Sequence, residues 1–331
     1  MVSVRQALGL LAAVAGAILL IYLFGVILLI FSAILFAIFI DSIARVFQRL
    51  GMPRSLGLIA TWLALIGVLS AMIAFFAAPI AEQAEELSER IPEAIDEILP
   101  FLERIGIDID QLIEQARTIL TQPALFEQTL NIFATALGII VSIVIVLLIG
   151  TYLAIEPATY RNGFVMLFPQ TQIKISGILD EIGRTLRMWI FSQMLSMTTV
   201  ALITGFGLWL LGVPLAFLLG IIAGILNFVP NIGPVIAAIP AVLIALLQSP
   251  MLGLLVIILF VAVQTLESTL ITPLIHRGTL KLPPALTITA QISGGFFAGF
   301  LGLLLAVPLL LVIMILVRRV HIDDAFGYRK G

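Results

Sequence analysis

Apolar residues run through this chain in stretches of about 16 to 25 positions with almost no charge and little alternation, and that pattern limits what it can fold into. A helix of about 20 apolar residues matches the ~30 Å hydrocarbon core of a bilayer, whereas a barrel strand would be about 10 residues long with alternating polarity. Inside hydrocarbon the backbone must satisfy its own hydrogen bonds, so unalternating runs of this length are helices. Of the 331 residues, 61% are apolar and 11% charged, with a mean hydropathy of +1.22, far from the balance of a soluble domain. The sequence predicts an all-α integral membrane protein with about eight membrane segments.

Several chemistries are set aside early. The chain has no cysteine, hence neither disulfides nor a thiolate metal site, and its two histidines, His276 and His321, are far apart in sequence. It carries no glycine-rich phosphate loop with lysine, no G-x-S-x-G elbow and no H-E-x-x-H pair. Asp41 stands at a span end with no second aspartate in a helix core, as an intramembrane protease would need. No catalytic residue, metal, cofactor or nucleic-acid partner is therefore expected. Any energy for work should come from an ion gradient or from a solute's own gradient.

Residues 1–80 read as a three-helix membrane scaffold. The first run, Ala7 to Ile40, exceeds one crossing and predicts a tight two-helix hairpin turning at Phe24-Gly25. It lacks an A-x-A-like cleavage site in a polar region, so it is expected to be retained. Arg5, Arg45, Arg49 and Arg54 place the N-terminus and the first polar loop in the cytoplasm. A further span, about Leu56 to Pro79, then leads outward. Residues 81–131 hold twelve of the nineteen acidic residues between Pro92, Pro100 and Pro123, and their helical spacing predicts amphipathic helices on the outer surface. These acids read as a solvated face, with a cation-collecting vestibule as the functional alternative. Residues 132–188 give a fourth span, Ile132 to Ile155, and a basic cytoplasmic segment ending near Arg187.

Residues 189–317 are punctuated differently. After a span from about Trp189 to Leu211, the stretch Pro214 to Gln248 is interrupted by NFVPNIGP, where Pro230, Gly233 and Pro234 cannot continue a helix. The span containing Glu267 follows, then the link HRGTLKLPP, then Ala285 to Val317, interrupted around SGGFFAGFLG. Short apolar segments broken by glycine and proline at corresponding positions point to broken or re-entrant helical hairpins, arranged as a possible inverted repeat. Re-entrant hairpins also leave Arg277 and Lys281 in the cytoplasm with the tail, residues 318–331, whereas single spans would move that link outside. Glycines and prolines that merely allow close packing and kinks are the plainer alternative.

An ionisable group in a membrane helix usually faces a partner, a cavity or a transport route, which makes Glu267 the leading candidate residue. Gln264, Glu267, Ser268, Ile271 and Thr272 fall at i, i+3, i+4, i+7 and i+8, so most of these polar groups should share a helical face. Low-dielectric surroundings favour a neutral carboxyl and a nearby cation favours the ionised form, the exchange a coupled carrier needs. The structural alternative is a carboxylate paired with Arg277 or Lys281. Asn227 and Asn231 flank Pro230 and offer amide groups to a ligand or to the freed backbone. Gln291, Ser293, Gly294 and Gly295 would complete the site from the second break, with Gly302 and Pro308 as further break or hinge positions. Gln193, Ser196 and Thr204 are left out, because single hydroxyls in membrane helices usually bond their own backbone. His276 reads as an interfacial, solvated histidine.

The segments FVPNIGPVIAAIPAVLIAL, VQTLESTLITPLIHRGTLKLPP and GGFFAGFLGLLLAVPLL resemble, in order, the three signature regions of the AI-2E family, the autoinducer-2 exporter-like transporters of bacteria. The resemblance covers essentially the whole chain and is strongest from Asn227 to Pro308. It implies a multi-pass protein of the bacterial inner membrane with both termini cytoplasmic, assembled as a homo-oligomer for which a pentamer is one candidate. It also implies a glutamate in the motif that holds Glu267. The resemblance leaves the solute open, since the family spans exporters of autoinducer-2 and sodium or lithium/proton antiporters. Three functions follow: export of a small polar metabolite, antiport of H+ against Na+ or Li+, and a non-transporting membrane scaffold or regulator that binds partners through the acidic outer region.

Overall fold

The computed structural model describes residues 4–76, 125–271 and 282–319, and every regular element among them is helical. Helix α1 spans Val4–Arg49. It runs straight through Phe24 and Gly25, where a hairpin turn was expected from the length of the apolar run. One glycine costs a helix about 1 kcal/mol, too little to end it without a proline or a left-handed residue to redirect the chain. The turn comes instead after Arg49, where Gly51 adopts φ +94° and Pro53 follows.

Beyond that turn come α2, Arg54–Phe76, α3, Leu125–Ile155, and α4, Pro157–Met166. Helix α5, Gln172–Leu210, joins into one element the basic segment and the span that had been expected to part near Arg187. Then follow α6, Ala216–Leu226, α7, Ile232–Leu246, α8, Pro250–Leu266, a π-helical turn, Glu267–Ile271, and α9, Pro284–Val317. Six of the described helices are long and apolar enough to cross a membrane. Their outward faces expose many large apolar side chains, among them Leu63, Ile66, Ile140, Leu202 and Ile258, which hydrocarbon accommodates and water does not. The chain is a multi-pass, all-α membrane protein. Most of the acidic region expected outside the membrane, the link from His276 to Lys281 and most of the C-terminal tail lie outside the described residues.

The chain divides into two compact units. The first comprises Met1–Trp62, Ser142–Phe191 and Gly278–Gly331. Here α1 meets α3 closely at Gly150, where a Cβ would press on Phe36 and the Ala33 carbonyl, and meets α2 at Gly57, where it would lie 3.1 Å from the Ala44 carbonyl oxygen. Buried Asp41 on α1 accepts hydrogen bonds from Arg45 at 2.9 Å, Arg54 at 3.0 Å and Arg187 at 3.3 Å. Arg54 also donates to the carbonyls of Ala154 and Ile155, which the end of α3 leaves without helical partners. One carboxylate thus ties α1, α2 and α5 together, and through Arg54 the end of α3 as well.

Helix α9 also belongs to this unit, and it is a hairpin. Ala298 (φ −135°) and Gly299 (φ +58°) leave helical geometry, and a Cβ on either Gly294 or Gly302 would collide with the other's carbonyl. Residues eight apart in a straight helix are separated by about 12 Å, so the arms 284–297 and 300–317 must fold back on each other. The turn lies within SGGFFAGFLG, as the punctuation suggested. Gly294 and Gly302 flank it as close-packing residues, a Cβ on Gly295 would lie 3.9 Å from the Leu303 side chain, and Pro308 is carried inside the returning arm.

The second unit comprises Leu63–Val141 and Ser192–Arg277. Helices α6 and α7 are each shorter than the ~20 residues of a crossing and pack against one another across the linker Asn227–Asn231. Gly233 lets the arms approach, because any Cβ there would enter the Leu226 carbonyl. Pro234 falls in the first turn of α7, where a helix does not need its N–H. The core joins Val200 and Leu208 of α5, Leu219 and Ala223 of α6, Ala237, Ala241 and Ala245 of α7, and Val256, Phe260 and Val263 of α8.

Candidate functional site

Small residues set the register of α5 against α6. On α6, Gly220 and Gly224 are four apart and meet Gly205 and Ala201, also four apart, so closely that a Cβ on either α6 glycine would strike α5 backbone or side chain. Such small-x-x-x-small pairs let membrane helices touch backbone to backbone. The pairing of 220 with 205 and 224 with 201 is antiparallel, so the next step along α6 brings Asn227 to Ser196 and Gln193. Asn227 is the C-cap of α6, with its N–H bonded to the Ala223 carbonyl. Its own carbonyl accepts from Gln193 Nε2 at 2.8 Å.

Glu267 enters the same cluster from the end of α8. Its Oε1 accepts from Ser196 Oγ at 2.6 Å and from Asn227 Nδ2 at 2.8 Å, and its Oε2 from Gln264 Nε2 at 3.2 Å. Asn227 Nδ2 also reaches Ser196 Oγ at 3.2 Å. Gln193, Ser196 and Asn227 are buried, while Gln264 and Glu267 are partly exposed. Among the described residues no salt bridge reaches Glu267, so neutral donors alone hold the carboxylate. One acceptor remains unanswered: Asn227 Oδ1 is buried and receives no hydrogen bond. A buried acceptor left so costs about 1–3 kcal/mol, which a bound donor or cation would recover.

Glu267 opens a five-residue π-helical turn, a local departure from α geometry that often marks functional sites. The α-helical spacing used to group the polar residues therefore ends at Glu267. Ser268 is exposed and donates to the Thr265 carbonyl at 3.2 Å instead of joining the cluster. Thr272 lies outside the described residues, as do Arg277 and Lys281, the partners of the structural alternative. Asn231 is exposed, makes no capping hydrogen bond and holds φ +69° and ψ −45°, a γ-turn closed by the Ile232 N–H donating to the Pro230 carbonyl at 2.9 Å. Pro230 is in the linker between the α6 and α7 arms. Gln291 is fully buried on the first arm of α9, in the first unit. The structure thus gathers Glu267, Gln264 and Asn227, and adds Gln193 and Ser196, which had been set aside as hydroxyl and amide groups serving their own helix. The glycine and alanine positions 201, 205, 220 and 224 were the available signal for those two, since they fix which residues of α5 face the break.

Over 300 residues, 85% of this chain, the sequence is 28% identical to "Putative transport protein YueF" of Bacillus subtilis (strain 168), covering 80% of that protein. It is also 28% identical to "Putative transport protein YrrI" of the same organism over 141 residues, 43% of this chain. That match spans 40% of YrrI, well under two thirds of its length. The family model described as AI-2E family transporter matches residues 8–321. The chain belongs to the AI-2E family of transporters.

Proposed function

We propose that this protein is a secondary transporter that exports a small polar metabolite, autoinducer-2 or a similar solute, by alternating access, with Glu267 as its coupling group. The observation that carries the reading is the position of Glu267: it joins the end of α8 to the break between α6 and α7 through neutral donors, with no cationic side chain bound to it among the described residues. A carboxylate held this way can exchange a proton for a cation without first breaking an ion pair. A short helix such as α6, which ends in this cluster at Asn227, offers backbone groups to a polar solute. The family and the basic residues at Arg45 to Arg54 and at Arg318 and Arg319 support a homo-oligomer in the bacterial inner membrane with the loop after α1 and the C-terminus cytoplasmic, while the single crossing of α1 withdraws the charge argument for a cytoplasmic N-terminus.

A second reading is antiport of a monovalent cation against H+. Its support is the oxygen set of the cluster, namely the Glu267 carboxylate, Ser196 Oγ and the unanswered Asn227 Oδ1, which suits a hard cation. Flux in proteoliposomes separates the readings. Wild type and Glu267→Gln are compared for labelled autoinducer-2 and, in parallel, for sodium-driven proton movement reported by an internal pH dye. Metabolite flux that the substitution abolishes supports the exporter. A cation signal alone supports the antiporter. Flux that is unchanged by the substitution would make Glu267 structural, and silence in both assays would favour the non-transporting scaffold.

A further inference from the structure

We infer that the cluster of Asp41, Arg45, Arg54 and Arg187 in the first unit binds the phosphate of an anionic phospholipid. Three guanidinium groups converge on one buried carboxylate, so the cluster carries two positive charges beyond what Asp41 neutralises. Arg54 spends its other contacts on the carbonyls that end α3. Arg45 and Arg187 donate to Asp41 alone among the described residues, and Arg187 Nε, itself buried, has no hydrogen-bond partner. All three side chains keep a third to a half of their surface exposed, 48%, 38% and 34% for Arg45, Arg54 and Arg187. The excess charge is therefore accessible, and Asp41 holds the guanidinium groups in place before any ligand arrives.

The surroundings select a lipid over a free anion. Arg45 and Arg54 stand at the ends of the first two apolar spans, and exposed Val46, Leu50, Leu56 and Ile59 lie beside them in sequence. A phosphodiester at the arginines would have acyl chains that run along apolar helix surface. Arginine is suited to this task because its planar fork donates in pairs to phosphate oxygens. Basic pockets between membrane helices near the interface recognise lipid headgroups on the same principle.

The test uses the purified full chain in phosphatidylcholine nanodiscs, with phosphatidylglycerol titrated in and binding read by native mass spectrometry and by the shift in thermal unfolding. Wild type should bind phosphatidylglycerol and melt higher with it. Arg45→Gln/Arg187→Gln should bind about thirtyfold more weakly, the scale expected from losing two charges at about 1 kcal/mol each, while Arg45→Lys/Arg187→Lys, which keeps the charge and loses the paired donors, should fall between the two. Equal binding by wild type and the glutamine variant would overturn the proposal. So would inorganic phosphate reproducing the thermal shift in phosphatidylcholine alone, since the site would then take the free anion. If the double variant fails to fold, Arg45→Gln alone decides: about fivefold weaker binding supports the site, and unchanged binding overturns it.

Discussion

Asn227 Nδ2 lies 2.8 Å from Glu267 Oε1, which couples the break between α6 and α7 directly to the end of α8. A change at either residue is felt by both elements. Replacing Asn227 with Ala removes the donor to Glu267 and the bridge to Ser196, and leaves Ser196 Oγ as the only donor on Oε1. Buried hydrogen-bonded groups lose about 1–3 kcal/mol when one partner is deleted. Asn227→Ala is expected to lower the unfolding temperature in detergent by a few degrees and to reduce proteoliposome flux by about tenfold or more. Normal flux in a destabilised variant would make Asn227 a structural cap and nothing further.

Ser196→Ala makes the milder change. Glu267 keeps Asn227 and Gln264 as donors, and alanine fits the space of serine. Loss of one hydrogen bond to a charged acceptor is worth about 1.5–3 kcal/mol where the charge matters, so a flux reduction of about tenfold with little change in melting is expected. Ser196→Thr, which keeps the hydroxyl, should restore most of the flux. Comparable losses in both variants would point to packing against Asn227 as the cause.

How far the sequence carried these conclusions differs by residue. Glu267 and the break at Pro230 were legible because each violates a rule of its surroundings, a carboxyl in an apolar run and a proline pair inside a helix. Gln193 and Ser196 violate nothing, and only the fit of Gly220 and Gly224 against Gly205 and Ala201 brings them to Asn227. That is tertiary information, carried by small side chains whose local preference is mute. The π-turn at Glu267 was likewise invisible to an α-helical spacing and moved Ser268 away from the site. The expected hairpin at Phe24-Gly25 failed for the opposite reason: the length of the apolar run was given more weight than the small cost of one glycine in a helix.

Three glycines separate these cases experimentally. A methyl group on Gly233 would strike the Leu226 carbonyl, and one on Gly302 the Gly294 carbonyl, with backbone that cannot yield on the other side. Gly233→Ala and Gly302→Ala should each destabilise by about 2 kcal/mol or more, seen as lower melting temperature and poor recovery from the membrane. Gly25 has nothing within 4 Å of its would-be Cβ and sits mid-helix, so Gly25→Ala should be neutral or stabilise by about 0.5–1 kcal/mol. A clear loss of stability at Gly25 would mean that the chain turns there after all.

Asp41→Asn tests the anchor of the first unit. The substitution keeps shape and some hydrogen bonding, and it removes the only carboxylate that faces Arg45, Arg54 and Arg187 among the described residues. Breaking a fully buried ion pair costs about 3–5 kcal/mol, and the partial exposure of all three arginines reduces that to about 2 kcal/mol. Mutual repulsion of the arginines should then loosen the junction of α1, α2 and α5, while Arg54 can still hold the end of α3 through the Ala154 and Ile155 carbonyls. The expected result is a lower melting temperature that anionic lipid partly restores, because phosphate would replace the missing negative charge between the guanidinium groups. Added phosphatidylglycerol should therefore raise the melting temperature of Asp41→Asn by more than that of wild type. An equal or smaller rise would show that phosphate does not take the place of the Asp41 carboxylate between the three arginines.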